Sequence, residues 1–383
     1  MTSDPPGNPL LPSVESASPP LPSPDPALLQ AVVRPEIAAM AAYPVPSSQG
    51  LLKLDAMENP YPLPEPLRQA LADRLGAVAL NRYPAPAYRE LKSAITRQLG
   101  VHPGAALVLG NGSDELITLL SVLTARPGAC VLSPVPSFVM YELSARLAGS
   151  RFVGVDLRDD FSLDPGAMLA AIERERPALI WIAYPNNPTG NRFDDEAIAA
   201  IVAAAPGLVV IDEAYQPFAQ ASWMPRLADF PNLLVLRTVS KLGLAGLRLG
   251  YLAGAPGWIE QIEKVRPPYN INSLTEAAAL FALEHIEVLR SQADALRTAR
   301  RTMHEQLGRL PGVRPFASQA NFVLARMPDG PAIFRALRER GILVKDVGKM
   351  HPKLVDCLRL TVGTPDENAR LFAALMSLLP GRP

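Results

Sequence analysis

Short apolar runs alternate with amphipathic segments along the chain from about residue 67 onward. The runs have the length and aliphatic character of buried strands. They are AALVL (105–109), ACVLS (129–133), RFVGVDL (151–157), ALIWIAY (178–184), LVVI (208–211), LLVLR (233–237) and LRLGYLAG (247–254). Segments with helical periodicity separate them. Because continuous apolar strands need cover on both faces, the pattern predicts an α/β fold with a mostly parallel sheet.

The pattern changes after about residue 273. A long helical stretch runs to about residue 308, and shorter strands and helices follow it. This part predicts a second, smaller α/β domain. We therefore divide the chain into a large domain at 76–275 and a C-terminal small domain at 276–383.

The N-terminal residues have a different composition. Ten of residues 1–35 are proline, and no apolar periodicity is visible among them. Proline removes backbone donors and resists helix and sheet, so we predict a flexible tail for 1–35. Residues 36–75 regain apolar and aromatic positions and are predicted to form an ordered arm and part of the small domain.

Composition excludes several classes of function. Lysine plus arginine and aspartate plus glutamate each number 37, so no net charge attracts nucleic acid or an anionic membrane. Two cysteines, Cys130 and Cys357, and four scattered histidines do not form a metal-binding pattern. The sequence shows neither a long apolar run nor a signal-peptide pattern, so we expect a cytoplasmic protein.

Candidate chemistry follows the strands. Ligands of open α/β sheets bind beyond the carboxyl ends of the strands. GNGSDE (110–115) follows AALVL, and there Ser113 and Asp114 are predicted to cap a helix whose free N–H groups suit a phosphate. Glu115 stands where a dinucleotide fingerprint has its last glycine, which disfavours that reading. Taken alone, this motif fits an ordinary helix cap equally well.

Three more strand ends carry polar groups. PNNPTG (185–190) holds two asparagine amides in a rigid turn. Asp212 follows four apolar residues, and a buried carboxylate there needs a cationic partner. Lys241 places one amine in an apolar, glycine-rich stretch, where burial lowers an amine's pKa. Each feature alone is compatible with a plain loop, but their coincidence at strand ends favours one site.

Pyridoxal 5′-phosphate is a cofactor whose chemistry uses this whole set of groups. Its aldehyde forms a Schiff base with a lysine, and a carboxylate keeps its ring nitrogen protonated. Its phenolic oxygen accepts hydrogen bonds, and its phosphate needs N–H groups and a cation. A Schiff base on Lys241 would remove the penalty of burying an ammonium group. The freed amine would then act as a base near neutral pH.

Motifs in a fixed order carry a family resemblance. They are LDAMENPY (54–61), RYPAP (82–86), GNGSDE, YPNNPTG (184–190), DEAY (212–215), SKLGLAGLRLGY (240–251), KVRPPYNIN (264–272), SQANFVL (318–324) and CLRLTVGTPDEN (357–368). Over about residues 36–380 the chain resembles the fold-type I, class I/II aminotransferases, and among them the histidinol-phosphate aminotransferases. The resemblance implies a large domain with a mostly parallel, seven-stranded sheet, a smaller α/β domain and pyridoxal 5′-phosphate as cofactor.

The resemblance also implies roles for individual residues. Lys241 would carry the cofactor and move the proton, Asp212 would pair with the ring nitrogen, and Tyr215 would donate to the phenolic oxygen together with Asn187. The remaining cofactor-binding positions are Gly112, Ser113, Asp114, Ser240 and Arg248 around the phosphate, Phe138 stacked on the ring, and Tyr83 reaching the site of the partner subunit in a homodimer. Substrate-binding positions are Tyr43, Asn321, Lys345 and Arg359.

Three departures from the family pattern are visible. SKLGLAGLR (240–248) is one residue shorter than the usual SKAFGLAGLR, which shifts the turn that carries Arg248. Lys345 stands where arginine is commoner, so a point charge replaces a planar fork. Met57 stands where asparagine is frequent.

The implied activity is transfer of an amino group between L-histidinol phosphate and 2-oxoglutarate in histidine biosynthesis. Three alternatives stay open from the sequence. These are an aromatic amino acid aminotransferase, a lyase similar to threonine-phosphate decarboxylase, and a ligand-binding protein without catalysis.

Overall fold

The N-terminal part of the chain forms short helices. The computed structural model describes residues 21–42, 46–85 and 87–379 and divides into two compact units, Met1–Val45 and Pro46–Pro383. The first unit contains α1 (Pro26–Val32) and α2 (Pro35–Ala38). Each helix has proline in its first turn, where the missing N–H group has no intrahelical partner to lose. The helix α1 lies within the segment predicted to be a flexible tail, and no sequence pattern indicated it.

The second unit alternates helices and strands. Its helices are α3 (Glu65–Gly76), α4 (Arg89–Gln98), α5 (Ser113–Thr124), α6 (Met140–Leu147), α7 (Pro165–Glu175), α8 (Asp195–Ala204), α9 (Gln216–Ala219), α10 (Pro256–Val265), α11 (Ser273–Glu284), α12 (Ile286–Leu307), α13 (Gly330–Glu339) and α14 (Pro365–Leu378). Its strands are β1 (Leu52–Lys53), β2 (Ala106–Asn111), β3 (Cys130–Val135), β4 (Arg151–Asp156), β5 (Leu179–Ala183), β6 (Leu208–Asp212), β7 (Leu233–Thr238), β8 (Leu249–Gly254), β9 (Arg314–Pro315), β10 (Phe322–Arg326), β11 (Ile342–Leu343), β12 (Lys345–Asp346) and β13 (Cys357–Thr361).

The central sheet has seven strands in the order β2-β8-β7-β6-β5-β3-β4. Only β8 runs antiparallel to its neighbours, so the predicted mostly parallel sheet is confirmed. Asp212 lies opposite Ala183 on β5 and opposite Leu236 on β7. This register brings the carboxyl ends of β5, β6 and β7 to one edge, where the predicted polar residues begin.

Both faces of this sheet are buried. Ile180 and Ile182 of β5 contribute to one hydrophobic cluster, whereas Leu179 and Trp181 contribute to another on the opposite face. Alternate side chains of a strand point to opposite faces, so a strand buried on both must be apolar throughout. The continuous apolar runs of the sequence thus have their physical explanation.

The C-terminal part forms a smaller layer. A four-stranded antiparallel sheet has the order β12-β13-β10-β9, and Lys345 lies opposite Arg359 across its β12–β13 pair. In the N-terminal arm, β1 pairs in parallel with β11, with Leu52 opposite Ile342. This pairing connects the arm to the C-terminal segment. None of the helices in the described ranges has the length and apolar composition needed to cross a membrane.

Three helices of the second unit, α4, α10 and the four-residue α9, were not predicted from the sequence. The helix α4 buries only Leu91, Ala94 and Ile95, so its apolar stripe is narrow and its other positions are mostly polar. The helix α10 begins with Pro256. In the sequence, this proline indicates the end of the preceding strand and not the start of a helix. The predicted long helix over 273–308 is two helices that meet at His285.

A buried ion pair joins the ends of β6 and β7. Nε of Arg237 lies 2.8 Å from Oε2 of Glu213, and both side chains are almost fully buried. The hydroxyl of Ser222 and the backbone N–H of Trp223 also donate to Glu213. Arg237 donates in turn to the carbonyl of Leu99. Burial raises the pKa of Glu213, and the charge of Arg237 opposes that rise.

We predict that Arg237→Met destabilises the fold by about 3–5 kcal/mol, because it leaves a buried carboxylate without its cation. Urea unfolding of the apoprotein measures the change. The pKa of Glu213 would then lie further above its unfolded value, so the lost stability should return as the pH falls through that raised value. Arg146→Met, which breaks an exposed pair with Glu142, is the control and should change stability by less than about 1 kcal/mol. Equal effects of the two substitutions would contradict the prediction.

Candidate active site

A cavity of about 110 Å³ lies beyond the carboxyl ends of β5, β6 and β7. Most of the predicted cofactor-binding residues line it. The lining residues are Met57, Ser113, Asp114, Phe138, Tyr141, Ala183, Pro185, Asn187, Asp212, Ala214, Tyr215, Thr238, Ser240, Lys241 and Arg248. A larger cavity of about 490 Å³ is lined by Glu213 and Arg237 among others, and none of the predicted site residues lines it.

Asp212 is the buried acid of the cavity. Its Oδ2 accepts a hydrogen bond of 2.7 Å from the Tyr141 hydroxyl, and its Oδ1 accepts one of 2.9 Å from the Ala214 N–H. Burial raises the pKa of Asp212 to about 6, and the bond from Tyr141 opposes that rise. Among the described residues, its two hydrogen-bond donors are a phenol and a backbone amide, so the cationic partner expected from the sequence is left to a ligand.

Lys241 is the amine of the cavity. It lies in a π-helical turn, Ser240–Leu244, directly after β7. Its Nζ donates to the carbonyl of Ala56 at 3.1 Å and lies 6.0 Å from the centroid of the Tyr215 ring. Burial lowers the pKa of Lys241 to about 8, and the positive charge of Arg359 adds to this effect. A substantial fraction of the amine is therefore neutral, and nucleophilic, near pH 8.

The amino end of α5 forms a cradle for an anion. Gly112 is the N-cap, with a φ of 82° and without a side-chain cap, and Ser113 is the first helical residue. The predicted caps, Ser113 and Asp114, therefore lie one and two residues after the actual N-cap. A Cβ on Gly250 would lie 2.8 Å from the Ser113 nitrogen, so glycine is required for β8 to approach this turn. The exposed N–H groups and the helix dipole suit a phosphate.

Arg248 reaches this cradle despite the shortened segment. Its backbone is left-handed, with a φ of 50°, at the end of the turn Ala245–Leu247. Gly243, with a φ of 127°, turns the chain between Lys241 and Arg248. Nη2 of Arg248 lies 3.3 Å from Oδ2 of Asp114, and both side chains are about half exposed. Two unusual backbone conformations thus allow the guanidinium to line the cavity.

An amide and three rings complete the walls. Nη1 of Arg359 donates to Oδ1 of Asn187 at 2.5 Å, which leaves the amide N–H₂ of Asn187 as its donor toward a ligand. Tyr215 is buried and meets Phe322 edge to face at 5.3 Å. Burial raises the pKa of Tyr215, which keeps its hydroxyl protonated as a donor. Phe138 lies on the wall beside Tyr141.

The predicted substrate residues that the structure describes, Asn321, Lys345 and Arg359, lie outside this lining. Asn321 donates to the carbonyl of Met57 at 2.9 Å, and Arg359 donates to the carbonyl of Asp55 at 2.9 Å. These bonds fix the arm segment whose Ala56 carbonyl receives Lys241. Lys345 is half-buried on β12. Tyr43 lies outside the described residues.

Tyr83 lies on the surface of the protein. Its side chain is 82% exposed and stacks on Tyr269 at 4.7 Å. It does not line the cavity of its own chain.

Two lining residues with a side-chain hydroxyl, Tyr141 and Thr238, were not predicted from the sequence. Tyr141 follows Phe138 by three positions, which is the helical spacing that puts two side chains on one face, and this was the available signal. Thr238 ends β7, and its hydroxyl bonds Ser240 at 2.8 Å. Met57, noted as a departure, has a φ of 53°, a conformation in which asparagine is more frequent.

The arrangement fits pyridoxal 5′-phosphate. A buried carboxylate, an amine with a lowered pKa and the anion cradle at the amino end of α5 face the same space. A cationic ring nitrogen beside Asp212 would offset the penalty of burying that carboxylate. The assignment of each residue to an atom of the cofactor stays a prediction.

Comparison with known proteins gives the same family. The family model for aminotransferase class I and II matches residues 49–375. Histidinol-phosphate aminotransferase 1 of Burkholderia lata is 58% identical over 353 residues, which are 92% of this chain and 99% of that protein.

Solved structures agree at the level of the fold. Histidinol-phosphate aminotransferase from Sinorhizobium meliloti, in complex with pyridoxal-5′-phosphate, is 26% identical with a TM-score of 0.81, covering 91% of this chain and 98% of that one. L-Threonine-O-3-phosphate decarboxylase from Porphyromonas gingivalis shares the fold at 21% identity and a TM-score of 0.73, covering 86% of this chain and 99% of that one. The sheet, the cavity and the family match together show that the chain belongs to the class I and II aminotransferases.

Proposed function

We infer that this protein is a histidinol-phosphate aminotransferase that uses pyridoxal 5′-phosphate. It exchanges an amino group between L-histidinol phosphate and 2-oxoglutarate. One observation carries the chemistry, namely that Lys241 and Asp212 line the same cavity. The 58% identity to a histidinol-phosphate aminotransferase over 92% of the chain supports the substrate.

The cofactor would be held by four kinds of contact. Asp212 would bind the ring nitrogen, and the donors of Asn187 and Tyr215 would bind the phenolic oxygen. Phe138 would cover one face of the ring. The phosphate would be bound by Gly112, Ser113, Asp114, Ser240 and Arg248. When bound, pyridoxal phosphate supplies an electrophilic aldehyde carbon and a ring that withdraws electrons from the substrate Cα.

Lys241 would act twice. Its neutral amine is the nucleophile toward the aldehyde, and it is available because burial lowers its pKa to about 8. Once the amino group of the substrate has displaced it, the same Nζ would take the proton from the substrate Cα and deliver it to the carbon of the cofactor that carried the aldehyde. The bond to the Ala56 carbonyl holds this Nζ at the cavity wall.

Anionic groups of the substrates would be bound on the side of the small domain. The planar fork of Arg359 suits a carboxylate or a phosphate, and Lys345 lies opposite it in the β-sheet register. Asn321 and Tyr43 are proposed as further contacts with the substrate. This part of the chain, 276–383 together with 36–75, is proposed as the small domain, and 76–275 as the large one.

We propose that the protein is a cytoplasmic homodimer in which Tyr83 enters the site of the partner subunit. The support is its placement, because the ring is 82% exposed and is held by Tyr269 away from the cavity of its own chain. Large exposed aromatic side chains are characteristic of interfaces.

The pH dependence of cofactor capture tests the role of Lys241. The neutral fraction of an amine with a pKa of about 8 rises about tenfold between pH 7 and pH 9 and then levels off. We therefore expect the rate of covalent capture of pyridoxal phosphate by the apoprotein to rise about tenfold and reach a plateau, measured by stopped-flow absorbance. Lys264→Ala, on the surface helix α10, is the control and should follow the wild type, whereas Lys241→Ala should capture nothing. If the capture rate kept rising beyond pH 10, the reacting amine would have the pKa of an ordinary exposed lysine, and the prediction would be contradicted.

Single-turnover kinetics with different amino donors test the substrate. L-Histidinol phosphate should react about 100-fold more efficiently than phenylalanine, because its phosphate has more charge and one more terminal oxygen than the carboxylate of phenylalanine, which adds about 3 kcal/mol of charge-assisted bonding. O-Phospho-L-threonine is offered in parallel, and released carbon dioxide is measured. A faster reaction with phenylalanine would favour an aromatic aminotransferase, and carbon dioxide release would favour a lyase.

Subunit complementation tests the position of Tyr83. Tyr83→Ala and Lys241→Ala should each be strongly impaired as homodimers. In a hybrid dimer, the lysine-bearing site would receive the intact Tyr83 of its partner, so about half of the wild-type activity per dimer should return. Activity no greater than that of the Tyr83→Ala homodimer would place Tyr83 in its own subunit's site or outside both.

A further inference from the structure

Tyr141 lines the cavity but has no role in the mechanism proposed above. It lies in α6, three residues after Phe138, and only 1% of it is exposed. Its ring stacks on Trp181 of β5 with centroids 4.9 Å apart and planes 3° from parallel. Phe138 contacts the same ring edge-on at 5.6 Å. These rings fix the direction of the Tyr141 hydroxyl.

That hydroxyl points at the carboxylate of Asp212. The donor–acceptor distance to Oδ2 is 2.7 Å, typical of a strong hydrogen bond to a charged oxygen. Oδ1 is held separately by the N–H of Ala214 at 2.9 Å. Because each oxygen has its own donor from a different part of the chain, the carboxylate plane cannot rotate freely.

The bond also favours the charged form of Asp212. Burial raises the pKa of Asp212, and the donor from Tyr141 is the largest influence that lowers it. Burial raises the pKa of Tyr141 well above its ordinary value, so the phenol stays a donor through the working range of the protein. A donor to the ionised form of an acid stabilises that form.

We propose that Tyr141 is a positioning residue that fixes the Asp212 carboxylate, ionised and correctly oriented, for the ring nitrogen of the cofactor. The proposal rests on the proposed function, because it assigns to Asp212 the task of binding that nitrogen. Tyr141 acts through Asp212, whereas Trp181 and Phe138 hold the tyrosine ring in place.

Other charged groups around Asp212 also affect its titration. Asp114 of α5 and the adjacent Glu213 raise its pKa through like charge. Lys241, Arg248 and Tyr215 face the same cavity. These groups are unchanged in a variant at position 141, so a shift in such a variant reports the lost hydrogen bond.

Tyr141→Phe is the test because it removes one oxygen and keeps the stacked ring. Two quantities are measured in parallel. The pKa of Asp212 in the apoprotein is followed by carboxyl ¹³C NMR, and the dissociation constant of pyridoxal phosphate is measured at pH 8 and pH 6. We expect the pKa of Asp212 to rise and cofactor affinity to fall about tenfold at pH 8 and further at pH 6, since protonation of Asp212 removes the charge that the ring nitrogen meets.

Tyr184→Phe is the matched control. Tyr184 is also buried, and its hydroxyl donates to Oδ1 of Asp195 at 2.8 Å, but it does not line the cavity. Its loss should lower stability to a similar extent while leaving the titration of Asp212 and the affinity for the cofactor unchanged. A merely structural role of Tyr141 would give the same result as this control.

A second substitution strengthens the bond instead of removing it. Fluorinated tyrosine at position 141 keeps the ring and the hydroxyl but is a stronger donor, so the pKa of Asp212 should fall below its wild-type value. If Tyr141→Phe does not fold, the pKa of Asp212 in the fluorotyrosine variant tests the proposal instead.

The outcomes separate the two proposals. An unchanged pKa of Asp212 in the Tyr141 variants, or a shifted pKa with unchanged affinity for the cofactor, would overturn the role of Tyr141. If wild-type protein did not bind pyridoxal phosphate at all, the proposed function itself would fail, and with it the part of this inference that concerns the cofactor.

Discussion

Burial of the Asp212 carboxylate is the constraint on which the site depends. An ionised carboxyl group is unfavourable in a dry interior unless hydrogen bonds or a cation stabilise its charge. Here the end of β6 supplies one backbone donor and α6 supplies one phenol, yet the pKa still stands at about 6. A cationic ligand at this position would therefore bind with a favourable electrostatic contribution from the protein. The site is prepared for a protonated heterocycle.

The adjacent carboxylate, that of Glu213, is stabilised in a different way, by a cation of the protein itself. Glu213 points to the opposite side of β6 and is neutralised by Arg237 at 2.8 Å. Its ion pair is complete within the chain and holds the ends of β6 and β7 together. Lys241 follows β7 by three residues, so the internal pair stabilises the same two strand ends that position Asp212 and Lys241. Two neighbouring acids thus have a structural and a chemical role because strand geometry sends them to opposite faces.

Local sequence features predicted much of this. The apolar runs predicted the seven strands of the central sheet because a strand buried on both faces tolerates few polar residues. Asp212 and Lys241 were identified because both follow such strands. The bond from Tyr141 to Asp212 joins residues 71 positions apart, so no local pattern contained it. The position of the α5 cap was missed by one residue because Gly112, with its left-handed backbone, occupies it.

The central claim is that the ε-amine of Lys241 carries the cofactor in front of Asp212. Reduction of the holoprotein with borohydride, followed by proteolysis and peptide mass mapping, measures the attachment directly. We expect one phosphopyridoxyl adduct per chain, on the peptide that contains Lys241. An adduct on a different lysine, such as Lys345, with Lys241 unmodified would contradict it.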